Sequence, residues 1–569
     1  MVNNDDGGLL QVDGLTVGFG GGEVVQDVSF SIAAGQCLAL VGESGSGKSV
    51  TARTLMGLAG EGAGVAASAL RLSRTDLLRM RGRQWRKVRG SQIGFVLQDA
   101  LGSLDPLRPV GREIDDALRL RTNLSRAERS QRVLRLLTDV GMDDPALRAG
   151  QRSGELSGGL RQRALIASAV ALDPPLLIAD EPTTALDATV QAQILALLES
   201  LRDAGTGILL ISHDLAVVST IADNVAVMSQ GRIVEQGPSR QILGDPQHDY
   251  TRRLLQAVPS GHPRHTRLST GTLQISDRLP AMDSGESTSM DSGTGPDGES
   301  TRRRGGPLPA PSRDEPVLEA SRLTKRFPTG SGSFTAVDDA SFSLAAGSTF
   351  GLVGESGSGK TTTARLALGL TAPDSGHVRL FGEPWSAVPE QQRRPRRPQI
   401  GAVYQDPMSS FDPRLTVEQI LTDAVTAGRS LRPARHRAQV KQLLDLVGLP
   451  SSLAARGPRN LSGGQRQRVA IARALAPRPR IVVCDEPASS LDVSIQAQVL
   501  DLLDELQREF GLSYLFISHD LAVVRHMSDQ VVVMQGGRIV EQDTAERIFQ
   551  APEHDYTRRL LDASPRLAR

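Results

Sequence analysis

The heptapeptide Gly-Glu-Ser-Gly-Ser-Gly-Lys occurs twice, at 42–48 and 354–360, followed by Ser49 and Thr361. Glycines at this spacing let consecutive backbone N–H groups curl around an anion, and a helix starting at the lysine adds the positive end of its dipole. The implied chemistry is phosphate binding. Gly42, Ser44, Gly45, Gly47 and Lys48 would form one cradle, and Gly354, Ser356, Gly357, Gly359 and Lys360 the other. Each lysine would bridge the outer phosphates of a nucleoside triphosphate, and Ser49 or Thr361 would offer a hydroxyl to Mg2+. The chain has five Lys among 65 Lys plus Arg, and two of the five stand in these loops. A compact ammonium fits between phosphates where a forked guanidinium does not.

Two carboxylates close an apolar run in each half: Asp180 and Glu181 after 176–179, and Asp485 and Glu486 after 482–484, both followed by proline. An Asp-Glu pair after a strand is ordinarily a solvated loop. Downstream of a phosphate loop, the first carboxylate can hold the metal shell and the second can polarise a water for in-line attack on the terminal phosphorus. A third duplicated element, Ser157-Gly158-Gly159 and Ser462-Gly463-Gly464, opens a helical pattern and offers another set of N–H donors to an anion.

The two halves repeat one another along their length. Lys360 follows Lys48 by 312 residues and Gln405 follows Gln98 by 307, so the first copy carries five extra residues between these points. Asp485 follows Asp180 by 305 and His519 follows His213 by 306. This is duplication of a whole domain, too long a period for a solenoid. Each copy opens with alternating segments, 10–17 and 27–32 in the first, before the apolar run 37–41 leads into the phosphate loop. A helical stretch, 50–58, follows. Short apolar runs at 176–179 and 208–211 read as buried parallel strands, with a helical pattern over 190–204 between them. That order predicts an α/β fold with ligand at the carboxyl ends of the strands. The boundaries expected are 1–260 for the first domain, 261–315 for a linker and 316–569 for the second. The linker is rich in Ser, Thr, Gly, Pro and Asp, a composition that cannot bury a core. About 50 flexible residues span roughly 40 Å, enough for the halves to pack face to face. Arg302–304 reads as solvated linker.

Composition narrows the function classes. A net charge of +1 and pI near 7.9 give no global field for nucleic acid or anionic lipid. No apolar run approaches the ~18–20 residues needed to cross a bilayer, and the acidic N-terminus is unlike a signal peptide. The expected place is the cytoplasmic side, with membrane contact only through partners. Cys37 and Cys484, each in an apolar run, read as small buried hydrophobes.

The segments Leu-Ser-Gly-Gly-Leu-Arg-Gln-Arg at 156–163 and Leu-Ser-Gly-Gly-Gln-Arg-Gln-Arg at 461–468 resemble the signature sequence of ATP-binding cassette (ABC) ATPases. The resemblance covers nearly the whole chain outside the linker. It implies two tandem ABC-type P-loop NTPase domains, each a RecA-like α/β core with an antiparallel β subdomain and a helical signature subdomain. In that family the signature of one cassette completes the nucleotide site of the other. Ser157, Gly158 and Gly159 would then face ATP on Lys360, and Ser462, Gly463 and Gly464 would face ATP on Lys48. The resemblance gives Gln98 and Gln405 as Q-loop residues that sense Mg2+ and the attacking water. Mg2+ would be held by Ser49, Asp180 and Gln98 in one site, and by Thr361, Asp485 and Gln405 in the other. It also gives Glu181 and Glu486 as catalytic, His213 and His519 as γ-phosphate switches, and Phe19 and Phe327 as stacking partners for adenine. Residues 185–187 and 490–492 match the D-loop. Leu160, where the second copy has Gln465, is the clearest difference between the signatures, and a modest effect is expected.

The stretches 98–106 and 405–413 and the tails ending His-Asp-Tyr-Thr-Arg-Arg-Leu-Leu, at 248–255 and 554–561, resemble the peptide and nickel importer branch. Read alone, each tail is an amphipathic helix with a Tyr against the core. The branch implies an ATP-hydrolysing subunit of an importer for di- or oligopeptides, or for nickel, glutathione or another small solute. Implied partners are two permease subunits and an extracytoplasmic solute-binding protein, with the chain peripheral on the cytoplasmic face of the plasma membrane. Cysteines that carry an iron–sulfur centre after the tail in many members are missing, so no cluster is expected. The rival readings are a soluble tandem-cassette translation factor, a DNA-repair ATPase and an exporter ATPase. The first of these families carries a long charged helical linker and the second zinc-binding cysteines or a coiled coil, neither of which this sequence has.

Overall fold

Uniformly apolar runs form the centre of each half. Cys37–Val41, Leu176–Asp180 and Gly207–Ile211 are buried along their whole length, as strands covered on both faces must be. The computed structural model describes residues 8–97, 100–184, 186–270, 316–329, 332–489, 491–565 and 567. Gln98, Ala185, Ser490 and linker residues 271–315, Arg302–304 among them, lie outside the described residues.

In the first half, six strands lie in the order Arg232–Pro238, Asn224–Ser229, Cys37–Val41, Gly207–Ile211, Leu176–Asp180, Ile93–Val96. All neighbours are parallel except the first pair. The second half repeats this order with Arg538–Thr544, Gln530–Gln535, Thr349–Val353, Ser513–Ile517, Ile481–Asp485 and Ile400–Val403. An antiparallel sheet built on Leu10–Phe19 and Gly22–Ile32 packs beside the first core, and one built on Pro316–Thr329 and Gly332–Ala345 beside the second. The alternation read in the sequence is that of these half-buried strands. The first copy's extra residues accompany a short strand, Gly64–Ala66, paired to Leu10–Phe19.

A helical layer completes each half: Val110–Arg121, Arg126–Asp139 and Gly158–Ala169 in the first, and Val417–Val425, Arg437–Leu446 and Gly463–Leu475 in the second. The fold is thus two mixed α/β units with the three parts expected. The tail helices cross between them: Asp249–Gln256 packs on Val493–Phe510 of the second half, and Asp555–Ala563 on Ala188–Asp203 of the first.

Residues 261–270, placed by composition in the linker, run along the second half. Leu268 is buried, and the Asp501 carboxylate accepts from the N–H groups of Leu268 (2.9 Å) and Ser269 (2.8 Å). His265 Nδ1 lies 2.6 Å from Asp504 Oδ1, and Arg264 pairs with Asp529. Composition registers polarity but not two amides aimed at one carboxylate. Asp501→Ala should therefore accelerate hydrogen exchange at Leu268 and Ser269 about tenfold or more, since a hydrogen bond to a charged group contributes about 1.5–3 kcal/mol. Asp501→Asn, which keeps one oxygen, should restore part of the protection.

Candidate functional site

The phosphate loops leave the carboxyl ends of the central strands and close against the sheet so tightly that only glycine fits. A Cβ on Gly42 (φ 149°) would lie 2.2 Å from Met228 O, and one on Gly354 (φ 148°) 2.2 Å from Met534 O. Gly47 and Gly359, in the left-handed region, start the helices Lys48–Leu55 and Lys360–Ala367. Lys48 Nζ donates to Gly42 O (2.7 Å) and Glu43 O (2.9 Å), and Lys360 Nζ to Gly354 O (2.7 Å) and Glu355 O (2.8 Å). Burial pulls both lysines below their ordinary pKa, against the opposing pull of nearby carboxylates. Among those acting on Lys48 the largest is Asp492, from the other half of the chain.

Asp180 and Asp485 end their strands beside the loop hydroxyls. Ser49 Oγ donates to Asp180 Oδ1 at 3.1 Å, and Asp485 is hydrogen-bonded to Thr361. Burial, with the neighbouring glutamate, raises both carboxyls, Asp485 to about 6. An all-oxygen pair of hydroxyl and carboxylate suits Mg2+, which takes few protein ligands and completes its shell with water and phosphate oxygens. Among the described residues no cluster of three or more His, Cys, Asp or Glu is arranged for a metal.

Glu181 (φ 50°) and Glu486 (φ 51°) adopt the left-handed conformation, unusual outside glycine. Each is anchored through its N–H to the adjacent strand, at Ile211 O and Ile517 O, both 2.9 Å. His213 Nδ1 lies 3.0 Å from Glu181 Oε1, and His519 Nδ1 3.1 Å from Glu486 Oε1. Gln405 Nε2 donates to Glu486 Oε2 at 2.8 Å, and Thr184 Oγ1 donates to Glu181 Oε2 at 2.8 Å. Burial alone would raise the glutamates, but the hydrogen bond and charge of the histidine outweigh it and leave both below 4.5. The histidines move oppositely: burial lowers them, yet the facing glutamates hold them above 6.5.

Hydrogen bonds join each site to the opposite half, two at the first and one at the second. Asp492 Oδ1 accepts from the N–H and the hydroxyl of Ser44, both at 2.9 Å, and Asp187 Oδ2 accepts from Ser356 N–H at 3.2 Å. The signature glycines are locked to the same helices. A Cβ on Gly159 would meet Val190 at 2.7 Å, and one on Gly464 would meet Ile495 at 2.5 Å, whereas Gly158 faces open space. Ser157 and Ser462 cap their helices. Gln465 also accepts from Ser462 N–H at 3.1 Å, a bond that Leu160 cannot make. Phe327 is 41% exposed beneath Lys325, while Phe19 is packed partly into the core.

The family model described as ABC transporter matches residues 25–184 and 337–489. The chain belongs to the ABC transporter family. Its two ABC cassettes bind ATP and are ATPase domains. A second model, the oligopeptide/dipeptide transporter C-terminal region, matches 234–281 and 540–569. The glutathione import ATP-binding protein GsiA of Escherichia coli K12 is 40% identical across 99% of this ABC chain and 90% of its own length. The peptidoglycan transport ATP-binding protein YejF of Agrobacterium fabrum is 41% identical across 98% and 96%. An archaeal ribosome recycling factor, aABCE1, solved with the ribosomal stalk protein aP1, aligns over 91% of this chain and 88% of its own with TM-score 0.56. At 20% identity that likeness shows the fold alone.

Both halves of this ABC protein bring the expected lysine, hydroxyl, aspartate, glutamate and histidine together, and in the second Gln405 joins them. Sequence reasoning left two groups out of the site: Asp187 and Asp492, noted only as D-loop residues, and Tyr250 and Tyr556, treated as core packing. The Tyr250 hydroxyl accepts from Glu43 N–H and that of Tyr556 from Glu355 N–H, each at 3.1 Å. Their recurrence in both tails was the available signal.

The histidine–glutamate pairs carry a pH signature. Histidines raised above 6.5 contribute fully below that pH and lose the contribution as pH climbs through the raised value. Glutamates lowered from 4.5 contribute above it and lose the contribution as pH falls through the lowered value. The pairs should therefore stabilise most between about pH 4.5 and 6.5. The Tm deficit of His213→Ala/His519→Ala should accordingly be larger at pH 6 than at pH 8.5.

Proposed function

We propose that this chain hydrolyses ATP at two composite sites to energise import of a peptide-class solute. The observation that carries the reading is the oligopeptide/dipeptide C-terminal region, found behind both cassettes rather than one. It is supported by full-length similarity to relatives named for glutathione import and peptidoglycan transport. Glutathione is itself a small peptide derivative, so both names fall in one substrate class. Capture outside the cell would belong to a separate binding protein and passage to two permease subunits. No helix among the described residues is long and apolar enough to cross a membrane. In this reading the chain sits peripherally on the cytoplasmic face.

In the proposed mechanism the loop N–H groups and Lys48 or Lys360 hold the phosphates, with Phe19 or Phe327 against adenine. A Mg2+ ion bound with ATP would neutralise phosphate charge. Ser49 and Asp180, or Thr361 and Asp485, would offer it oxygens, and Gln98 and Gln405 would belong to the same shell. Glu181 and Glu486, ionised at neutral pH, orient the attacking water and accept its proton. His213 and His519 hold these carboxylates in place and report on the γ-phosphate. Ser157, Gly158 and Gly159 close over ATP on Lys360, and Ser462, Gly463 and Gly464 over ATP on Lys48. Closure and reopening of the cassettes then drive alternating access through the permeases.

Glu181→Gln and Glu486→Gln should each lower kcat by about 10²–10⁴-fold while ATP still binds, as loss of a general base does. Steady-state hydrolysis near wild type for either variant would make that site regulatory. Co-purification from detergent-solubilised membranes should recover two permease subunits and a binding protein, identified by mass spectrometry. Recovery with ribosomes and no permease would overturn the importer reading.

A further inference from the structure

We propose that Tyr250 and Tyr556 are positioning residues that couple each phosphate loop to the opposite cassette through the tail helix. Each phenol oxygen accepts from the N–H of the second loop residue, Glu43 or Glu355, at 3.1 Å. The third loop residue, Ser44 or Ser356, is held by Asp492 or Asp187 of the opposite cassette. Consecutive N–H groups of one phosphate cradle are thus gripped from two sides.

Both grips lead to the same element. Asp492 begins the helix Val493–Phe510, and the tail helix Asp249–Gln256 that carries Tyr250 packs on that helix. Asp187 begins Ala188–Asp203, against which Asp555–Ala563, carrying Tyr556, is packed. A cavity of about 380 Å³ lies between the first loop, Tyr250 and Arg253 of the tail, and Ser494 and Gln498 of the opposite cassette. Any shift of the opposite helix therefore reaches one loop by two routes, directly through the aspartate and indirectly through the tail.

The tyrosines are held in position before they reach the loops. His248 Nδ1 accepts from Tyr250 N–H at 3.1 Å, and the Glu235 carboxylate accepts from the N–H groups of Gln247 (2.6 Å) and His248 (3.2 Å). His554 and Glu541 repeat this arrangement before Tyr556. Burial pushes both phenols up to about 12, so each keeps its proton at neutral pH while accepting from the loop. The region recognised as the oligopeptide/dipeptide C-terminal segment thereby acquires a task in ATP binding that involves no contact with the transported solute.

The test uses the purified full-length chain and requires only ATPase activity, so it succeeds or fails independently of the importer reading. Tyr250→Phe keeps the ring and removes the acceptor for Glu43 N–H. Exchange at the Glu43 amide should accelerate about fivefold or more with Glu355 unchanged, and Tyr556→Phe should do the reverse. KM for ATP should rise about three- to tenfold, with kcat at saturating ATP within about twofold. A double-mutant cycle supplies the readout that simple packing would not move. Tyr250→Phe should be non-additive with Asp492→Ala and additive with Asp187→Ala, and Tyr556→Phe should show the opposite pattern. Unchanged KM, or cycles additive for every pair, would overturn the proposal. Should Asp492→Ala or Asp187→Ala fail to fold, the exchange rates of the Tyr→Phe variants decide alone.

Discussion

The carboxylate of Asp492 on Ser44, and that of Asp187 on Ser356, tie each phosphate loop to the opposite half of the chain. The third loop residue's N–H is turned out of helix and sheet, and it finds its acceptor in the opposite half. An acceptor borrowed from the other cassette satisfies it only when the two cassettes face each other in opposite sense. The crossing of the tail helices onto Val493–Phe510 and Ala188–Asp203 is compatible with that orientation. Fusion of two copies in one chain makes this pairing intramolecular and raises the effective concentration of each cassette for the other.

Electrostatics follow from the same crowding. A buried lysine beside three or four carboxylates is tolerable because charges removed from water need partners. The two carboxylates after each strand are nevertheless driven apart. Asp485 is raised to about 6 by burial and by Glu486, while Glu486 is held below the usual range against its burial by His519. Two neighbouring acids thus carry different proton affinities although both are buried. The distinction lies in the third dimension: only the glutamate faces the histidine at the end of the next strand.

Much of this was legible in the sequence because it is local. The phosphate loops, the carboxylate pairs and the buried strands are contiguous residues with a fixed physical meaning, and duplication doubled each signal. The cross-half contacts of Asp187, Asp492 and the tail helices were not read from the sequence. The Tyr250 hydroxyl reaches a residue 207 positions away, and no periodicity announces an acceptor at that distance. Residues 261–270 deceived composition for a related reason. Their polarity reads as solvation, yet Asp501 and Asp504 on one helix face provide partners that make the polar segment part of a packed surface.

The two sites agree in their chemistry and differ at their edges. Histidine-to-glutamate distances are 3.0 and 3.1 Å, and lysine-to-carbonyl distances are 2.7 Å in both. Within the sites Ser49 stands opposite Thr361, and Thr184 opposite Ser489. At the edges Leu160 replaces Gln465, Phe19 packs partly against the core while Phe327 is exposed, and a segment after the first tail is fastened to the second cassette. None of the edge differences touches the glutamate, the histidine or the lysine. They bear on helix capping, on the adenine end of the cleft and on how firmly one cassette holds the other. The lysine, histidine and glutamate thus keep one geometry in both halves while the rims diverge.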